Sequence, residues 1–321
     1  MPKVSVCVPI YNVEKYIEKC ARSLFEQTLD DIEYIFVNDC TPDNSLDILQ
    51  RVLDEYPQRK SQVLIISHDA NKGIASVRNT GLKQATAKYL IYCDGDDWVE
   101  PDMYQKLYEK AEDCGADMVW CNYDTTLDPI QKFSPTTEVQ LSGEEYIKLI
   151  CLGQFHGSTC NKLIKKDIYD KYSLSFPDGY NMMEDVTVIF QILHYAQKII
   201  NVPQILYHYV QHGDSITRAP HVIDIIQNVS KISRFYTEHY KGNQGMIQYL
   251  YWYQQCNKFN LISSNSISYT EFRSLWKEAS KVRLILSNPV LKWYNKLIYI
   301  GLCYNITLLF KCKQRLVNII H

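Results

Sequence analysis

The chain has 321 residues, enough for about two domains and for a full core without disulfide or zinc staples. Hydrophobic residues make up 46% and charged residues 22%, which excludes a mainly disordered, collagen-like or low-complexity chain. The net charge of −2 hides an asymmetry: residues 272–321 hold nine Lys/Arg and one acid, so an acidic body of −10 is joined to a basic tail of +8.

Residues 4–8 are a β-branched run that reads as a strand ending at Pro9. Residues 13–27 read as a helix with Ile17, Ala21 and Leu24 on one face. A second strand over 33–37 leads into a turn rich in Asp, Asn and Pro. Residues 45–56 are helical, with Leu46, Leu49, Val52 and Leu53 as their stripe. Strands at 63–67, 89–93 and 117–121 alternate with helices near 74–84 and 101–114. This rhythm predicts an α/β fold with a mainly parallel sheet and helices on both faces. Ligands of such sheets bind at the carboxyl ends of strands, where the polar clusters fall.

From 125 to 140 the pattern lapses into a loop or hairpin. Ser142-Gly143-Glu144-Glu145 is a capping box that opens a helix. Residues 184–196 form another helix, 205–210 a strand, and the chain beyond about 219 is helical.

Eleven cysteines are scattered singly, without a C-x-x-C pair. Most of them read as small apolar core residues in a reducing cytoplasm. The N-terminal MPKVSVCVPIYN lacks the charged and apolar regions of a signal peptide. The apolar run 297–310 contains Asn305 and is shorter than the ~20 residues that span a bilayer.

Four constellations carry chemistry. In Tyr92-Cys93-Asp94-Gly95-Asp96-Asp97-Trp98, three carboxylates crowd a strand end. They are either an acidic surface turn or hard oxygen ligands for Mg²⁺ or Mn²⁺ with substrate phosphates. Val37-Asn38-Asp39-Cys40-Thr41-Pro42-Asp43-Asn44-Ser45 is an Asx turn and helix cap in which Asp39 sits where a ligand would lie. Pro9-Ile10-Tyr11-Asn12 follows the first strand. In Asn71-Lys72-Gly73 with Arg78-Asn79-Thr80-Gly81, Arg78 either faces a base or phosphate or is simply solvated.

In this order and spacing the four closely resemble the family-2 inverting glycosyltransferases with the GT-A fold. The family's P-x-Y-N start, V-[DN]-D-G-S-x-D turn, N-x-G…A-R-N-x-G helix and D-x-D-D-W loop are all matched. The resemblance is strong over residues 2–124 and weaker to 218. Cys40-Thr41-Pro42 departs from the usual Gly-Ser-x, and Ser76-Val77 from Ala-Ala. The resemblance implies a donor-binding half over 1–124, an acceptor-binding half over 125–218, and a helical region over 219–321 that is basic from 272. It implies a nucleotide-diphosphate sugar, a UDP-sugar for preference, as donor. Pro9, Tyr11 and Asn12 would line the base pocket. Asp39 would accept from the base, and Arg78 would lie near base or phosphates. Asp94 and Gly95 would meet the ribose. Asp96, with Asp94, would hold a divalent metal (Mn²⁺ or Mg²⁺) against the diphosphate, and Asp97 would support the loop.

Inversion also needs a base for the acceptor hydroxyl, which would belong to a glycan or lipid-linked acceptor. Met183-Glu184-Asp185-Val186 resembles the family's E-D motif, with Asp185 as base and Glu184 as its orienting partner. Acids in a first helical turn also favour the helix dipole without any catalysis. Asn161-Lys162-Leu163-Ile164 resembles a recurrent motif before that helix. Residues 207–217 resemble the family's Y-x-Y-R…S-I segment, with Val210 in place of Arg. His212 or Ser215 there could close on the diphosphate. His208 reads as a satisfied structural histidine.

The basic tail is either a segment lying on an anionic inner leaflet or a helix packed in the protein or against a second copy. Two other functions fit an acidic α/β sheet. A sugar nucleotidyltransferase would need a Gly-rich basic first loop, which Pro9-Ile10-Tyr11-Asn12 is not. A catalytically dead scaffold would not need Asp39, Asp94, Asp96 and Asp185 intact. An acidic body also argues against nucleic acid as a partner.

Overall fold

The computed structural model describes residues 1–125, 134–213 and 221–312. The chain forms two compact units, one of residues 1–147 with 155–218, the other of 148–154 with 219–321.

In the first unit the strands are β1 (Val4–Ile10), β2 (Ile32–Asn38), β3 (Val63–Ser67), β4 (Tyr89–Tyr92), β5 (Trp98–Val99), β6 (Met118–Thr125), β7 (Lys162–Lys165) and β8 (Ile199–Tyr209). Among the described residues they join one sheet in the order β3-β2-β1-β4-β7-β6-β8-β5. The pairs β3-β2, β2-β1, β1-β4 and β6-β8 are parallel, as the strand–helix alternation predicts. β7 runs antiparallel between β4 and β6. This four-residue strand was not legible in the sequence, because Lys162 and Lys165 at its ends leave only two apolar residues between them.

The helices α1 (Ile17–Phe25), α2 (Ser45–Asp54), α3 (Ile74–Gln84), α4 (Met103–Cys114), α5 (Gly143–Cys151), α6 (Lys166–Lys171) and α7 (Glu184–Tyr195) follow the strands. α3 lies on β1 and β2, and α4 on β6 and β8. A Cβ on Gly81 would stand 2.8 Å from Cys7 Sγ, so glycine sets the close approach of α3 to β1.

α1 begins later than its apolar pattern suggests. The amides of Asn12, Val13 and Glu14 donate instead to Thr41 Oγ1, Ser45 Oγ and Asp43 Oδ2. These bonds hold the chain in a turn until Val13 O accepts from Tyr16 and Ile17. β8 begins six residues earlier than expected, at Ile199. Pro203 hides it in the sequence; the register shifts across Cys121–Tyr123, so Cys121 pairs Val202 but Asn122 pairs Ile205. The Ser142–Glu145 capping box forms as predicted: Ser142 N donates to Glu145 Oε2 at 2.8 Å, and Glu145 N to Ser142 Oγ at 3.3 Å. Six of the eleven cysteines are buried and all eleven are free thiols.

The second unit contains α8 (Val222–His239), α9 (Gln244–Ser263), α10 (Tyr269–Ser274), α11 (Val282–Ser287) and α12 (Trp293–Cys303). Phe259, Phe272, Ile285, Tyr299 and Phe310 centre its core. No helix of the described residues is long and apolar enough to cross a membrane.

Candidate active site

The carboxyl ends of β1, β2 and β4 carry the predicted motifs, and backbone geometry aims each one. After β1, Tyr11 is exposed and Asn12 adopts a left-handed φ of 54°. Asn tolerates that conformation better than most residues. After β4, Gly95 passes against β1, and a Cβ there would stand 2.6 Å from Pro9 O. Gly95 is therefore required for the close packing of the acid loop on the first strand, whatever it contributes to a ligand.

Asp39 follows β2 and is almost fully buried. Its Oδ1 accepts from Lys72 N at 2.9 Å and meets His68 Nδ1 at 2.7 Å, while Oδ2 accepts from Gly73 N at 2.8 Å. Three of the roughly four acceptor positions of this carboxylate are thus used inside the protein. Asp39 fixes the Asn71-Lys72-Gly73 loop, where Gly73 has a φ of 84°. His68, whose Nε2 meets Thr80 Oγ1 at 2.9 Å, extends the network and gave no signal in the sequence.

Arg78 is 5% exposed, which excludes the solvated alternative. One terminal nitrogen pairs with Glu184, and the other lies 3.1 Å from Asp94 Oδ1. Both ends of the guanidinium fork are occupied by protein carboxylates. A buried fork of this kind is suited to holding two carboxylates at a fixed separation. Arg78 thereby brings the acid loop and the start of α7 together.

The acid loop is braced from β8. The Tyr207 hydroxyl donates to the Asp97 carboxylate and accepts from Asp94 N at 3.4 Å. Val210 N donates to Asp97 Oδ1 at 2.8 Å. Asp97 is buried, and burial beside Asp96 and Asp94 raises its pKa well above the usual carboxylate range. Asp96 stays partly exposed, and its Oδ2 lies 2.8 Å from His212 Nε2. Burial and the neighbouring Asp94 raise the Asp96 pKa, opposed by His212. His212 stacks on Tyr16, with ring centroids 4.4 Å apart, and its Nδ1 is buried without a partner. Ser215 lies outside the described residues. His208 is satisfied as expected: it stacks on Trp98 and its ring nitrogens meet Asp124 and Glu100.

At α7, Met183 takes a left-handed φ of 64° and turns the chain so that Glu184 and Asp185 open the helix. Burial lifts Glu184 to about 7 despite the opposing charge of Arg78. Burial also raises the Asp185 pKa, again opposed by Arg78. Lys162 of β7 is fully buried, donates to Asn161 Oδ1 at 2.7 Å, and is near enough to Asp185 for their charges to interact. Cys160 Sγ lies 3.3 Å from Asp94 Oδ2. Neither Cys160 nor the buried state of Lys162 was legible in the sequence.

Asp94, Glu184 and Asp185 crowd around Arg78, Lys162 stands near Asp185, and His212 meets Asp96, so carboxyl groups outnumber the basic groups facing them. Among the described residues no group of three His, Cys, Asp or Glu has the geometry of a self-sufficient metal cage. The donor set instead fits a hard divalent cation carried with a diphosphate, since Mg²⁺-type ions take one or two protein carboxylates and complete their shell with phosphate and water. Asp96 is the partly exposed carboxylate of the acid loop beside His212, its pKa raised by burial and then by Asp94.

The family model for Glycosyl transferase family 2 matches residues 5–173. The uncharacterized glycosyltransferase EpsJ of Bacillus subtilis (strain 168) is 34% identical over 227 residues, 69% of this chain. That match covers 64% of EpsJ, so the chain spans just under two thirds of this relative's length. Among solved structures, S. aureus TarS 1–349 in complex with UDP-GlcNAc superposes with a TM-score of 0.75 at 18% identity, covering 98% of this chain and 90% of TarS. Mannosyltransferase PcManGT of Pyrobaculum calidifontis, in complex with GDP-Man and Mn²⁺, gives 0.54 at 16% identity, covering 96% and 87%. These likenesses show the GT-A fold. With the family match covering more than half of the sequence, the chain belongs to glycosyl transferase family 2.

Proposed function

We propose that this glycosyltransferase moves a sugar, with inversion, from a nucleoside-diphosphate donor to a hydroxyl of a glycan or lipid-linked acceptor. The observation that carries this reading is the Arg78 bridge, which ties the acid loop to the Glu184-Asp185 helix start. Residues 1–124 serve the donor and residues 125–218 the acceptor. Pro9, Tyr11, Asn12 and Asp39 border the nucleotide base, and Asp94 and Gly95 the ribose. Arg78, with its fork engaged, positions the carboxylates rather than gripping phosphate.

Asp96, with Asp94, would hold Mn²⁺ or Mg²⁺. When bound, that ion stabilises the negative charge on the departing nucleoside diphosphate. His212 stands beside Asp96 and orients it. Asp185 takes the proton of the acceptor hydroxyl as its oxygen bonds to the anomeric carbon. The bond from that carbon to the diphosphate oxygen breaks, and the electron pair leaves with the diphosphate. A general base works best with a pKa near the working pH, and burial moves Asp185 in that direction. TarS was solved with UDP-GlcNAc, which supports a UDP-sugar as donor. A surface polysaccharide would be the product.

The test is a thermal-shift series with UDP, GDP, dTDP and their sugars, with and without Mn²⁺, on wild type and Asp96→Ala. The expected result is a metal-dependent rise with UDP-linked sugars that Asp96→Ala loses. Equal rises in wild type and Asp96→Ala would contradict the metal assignment, and no rise with any donor would contradict the function.

A further inference from the structure

The C-terminal unit has an outer surface that its own fold leaves uncovered. Of the fourteen large hydrophobic side chains that are exposed among the described residues, nine fall between Leu286 and Leu309. The concentration excludes the ordinary scatter of single exposed apolar residues.

α12 explains the pattern. Ile298, Tyr299 and Leu302 face the core of the unit. Trp293, Leu297 and Tyr304, spaced by four and seven, form a second apolar stripe that is 72%, 49% and 65% exposed. A helix apolar on both faces needs a cover on the second one. Ile306, Leu308 and Leu309 continue the exposed surface beyond the helix.

Charge identifies the cover. Residues 286–312 contain Lys292, Lys296 and Lys311 and no acid. A two-fold pairing of copies through this surface would set the same positive patch against itself, with no carboxylate to compensate. Lysine is also depleted at the centre of protein–protein interfaces. Exposed Trp and Tyr flanked by lysines instead match the boundary between headgroups and acyl chains of a bilayer. Anionic headgroups attract such basic residues and fill the charge that a second copy cannot. No described helix is long and apolar enough to span a bilayer, so contact with one would be at its surface.

We propose that residues 286–311 are a peripheral docking surface for an anionic lipid bilayer. This inference is independent of the donor chemistry assigned above.

Flotation of the full chain with vesicles tests it, comparing phosphatidylcholine alone with mixtures containing about one third phosphatidylglycerol. The expected result is flotation with the anionic vesicles, little with neutral ones, and loss as salt is raised. Lys292→Glu and Lys311→Glu, both at exposed sites, are each expected to weaken binding at least fivefold. Trp293→Ser weakens it without changing the salt dependence. Nucleotide-induced thermal shifts stay at wild-type size in all three, which separates this result from any failure of the enzymatic reading. Failure of wild type to float with anionic vesicles, or equal flotation with neutral ones, overturns the proposal. So does a solution dimer that Trp293→Ser converts to monomers.

Discussion

Arg78 on α3 pairs with Glu184 at the start of α7, 106 residues further along the chain, while its other terminal nitrogen holds Asp94. Both partners of the Arg78–Glu184 pair are buried. Removing one member of a buried pair leaves the other charge uncompensated, at a cost of about 3–5 kcal/mol. Arg78→Met is expected to lose stability of that order, measured by urea unfolding. Arg78→Lys keeps the charge but not the fork. It is expected to retain most of the stability and to lower kcat/KM about a hundredfold, the scale of a roughly 1 Å misplacement of reacting groups. Wild-type kcat/KM in Arg78→Lys would show that the fork has no positioning role.

Gly95→Ala tests how the acid loop is seated. The added methyl would meet the Pro9 carbonyl oxygen at 2.6 Å and Val13 at 3.3 Å. Backbone cannot swing aside as a side chain can, so a loss of about 1–3 kcal/mol is expected. Gly115→Ala is not the matching control, because Gly115 has a φ of 61°. Gly213, with open space around it and no left-handed φ, is. Urea midpoints of the two alanine variants should separate, with Gly213→Ala close to wild type.

Lys162 gives a pH signature. Burial lowers its pKa to about 8, from about 10.5 in the unfolded chain. The unfolded state takes up the proton first, so stability is lost as pH falls from about 10.5 to about 8. Lys162→Met removes that dependence. Its stability relative to wild type should rise as pH is lowered across this window, by on the order of 3 kcal/mol at most, read as a growing Tm difference. Leaving Asn161 without its donor adds a constant that does not vary with pH. Parallel Tm curves for the two proteins between pH 8 and 10 would show that Lys162 is not desolvated.

The local elements were largely legible because their signals are local. The strand–helix rhythm, the Ser142–Glu145 capping box and the apolar stripe of α2 all rest on residues a few positions apart. What escaped depends on distant partners. Arg78 carries no local mark of its engagement with Glu184: the sequence leaves base, phosphate and solvent open to it, and its fork holds two carboxylates. Asp39 stands at its strand end as expected, but only the fold brings the Lys72 and Gly73 amides to it. β7 is short and Lys-bounded, and its antiparallel insertion depends on β4 and β6. His212 reaches Asp96 across 116 residues, which a single sequence cannot reveal.

Asp185 is proposed as the base that takes the acceptor proton. The measurement is paired on one variant: nucleotide binding by calorimetry with UDP and Mn²⁺, and sugar transfer under donor saturation, for wild type and Asp185→Asn. A positioned general base contributes about 10²–10⁴-fold. Unchanged nucleotide affinity with kcat lowered by at least a hundredfold is the predicted result. Transfer by Asp185→Asn at the wild-type rate would contradict it.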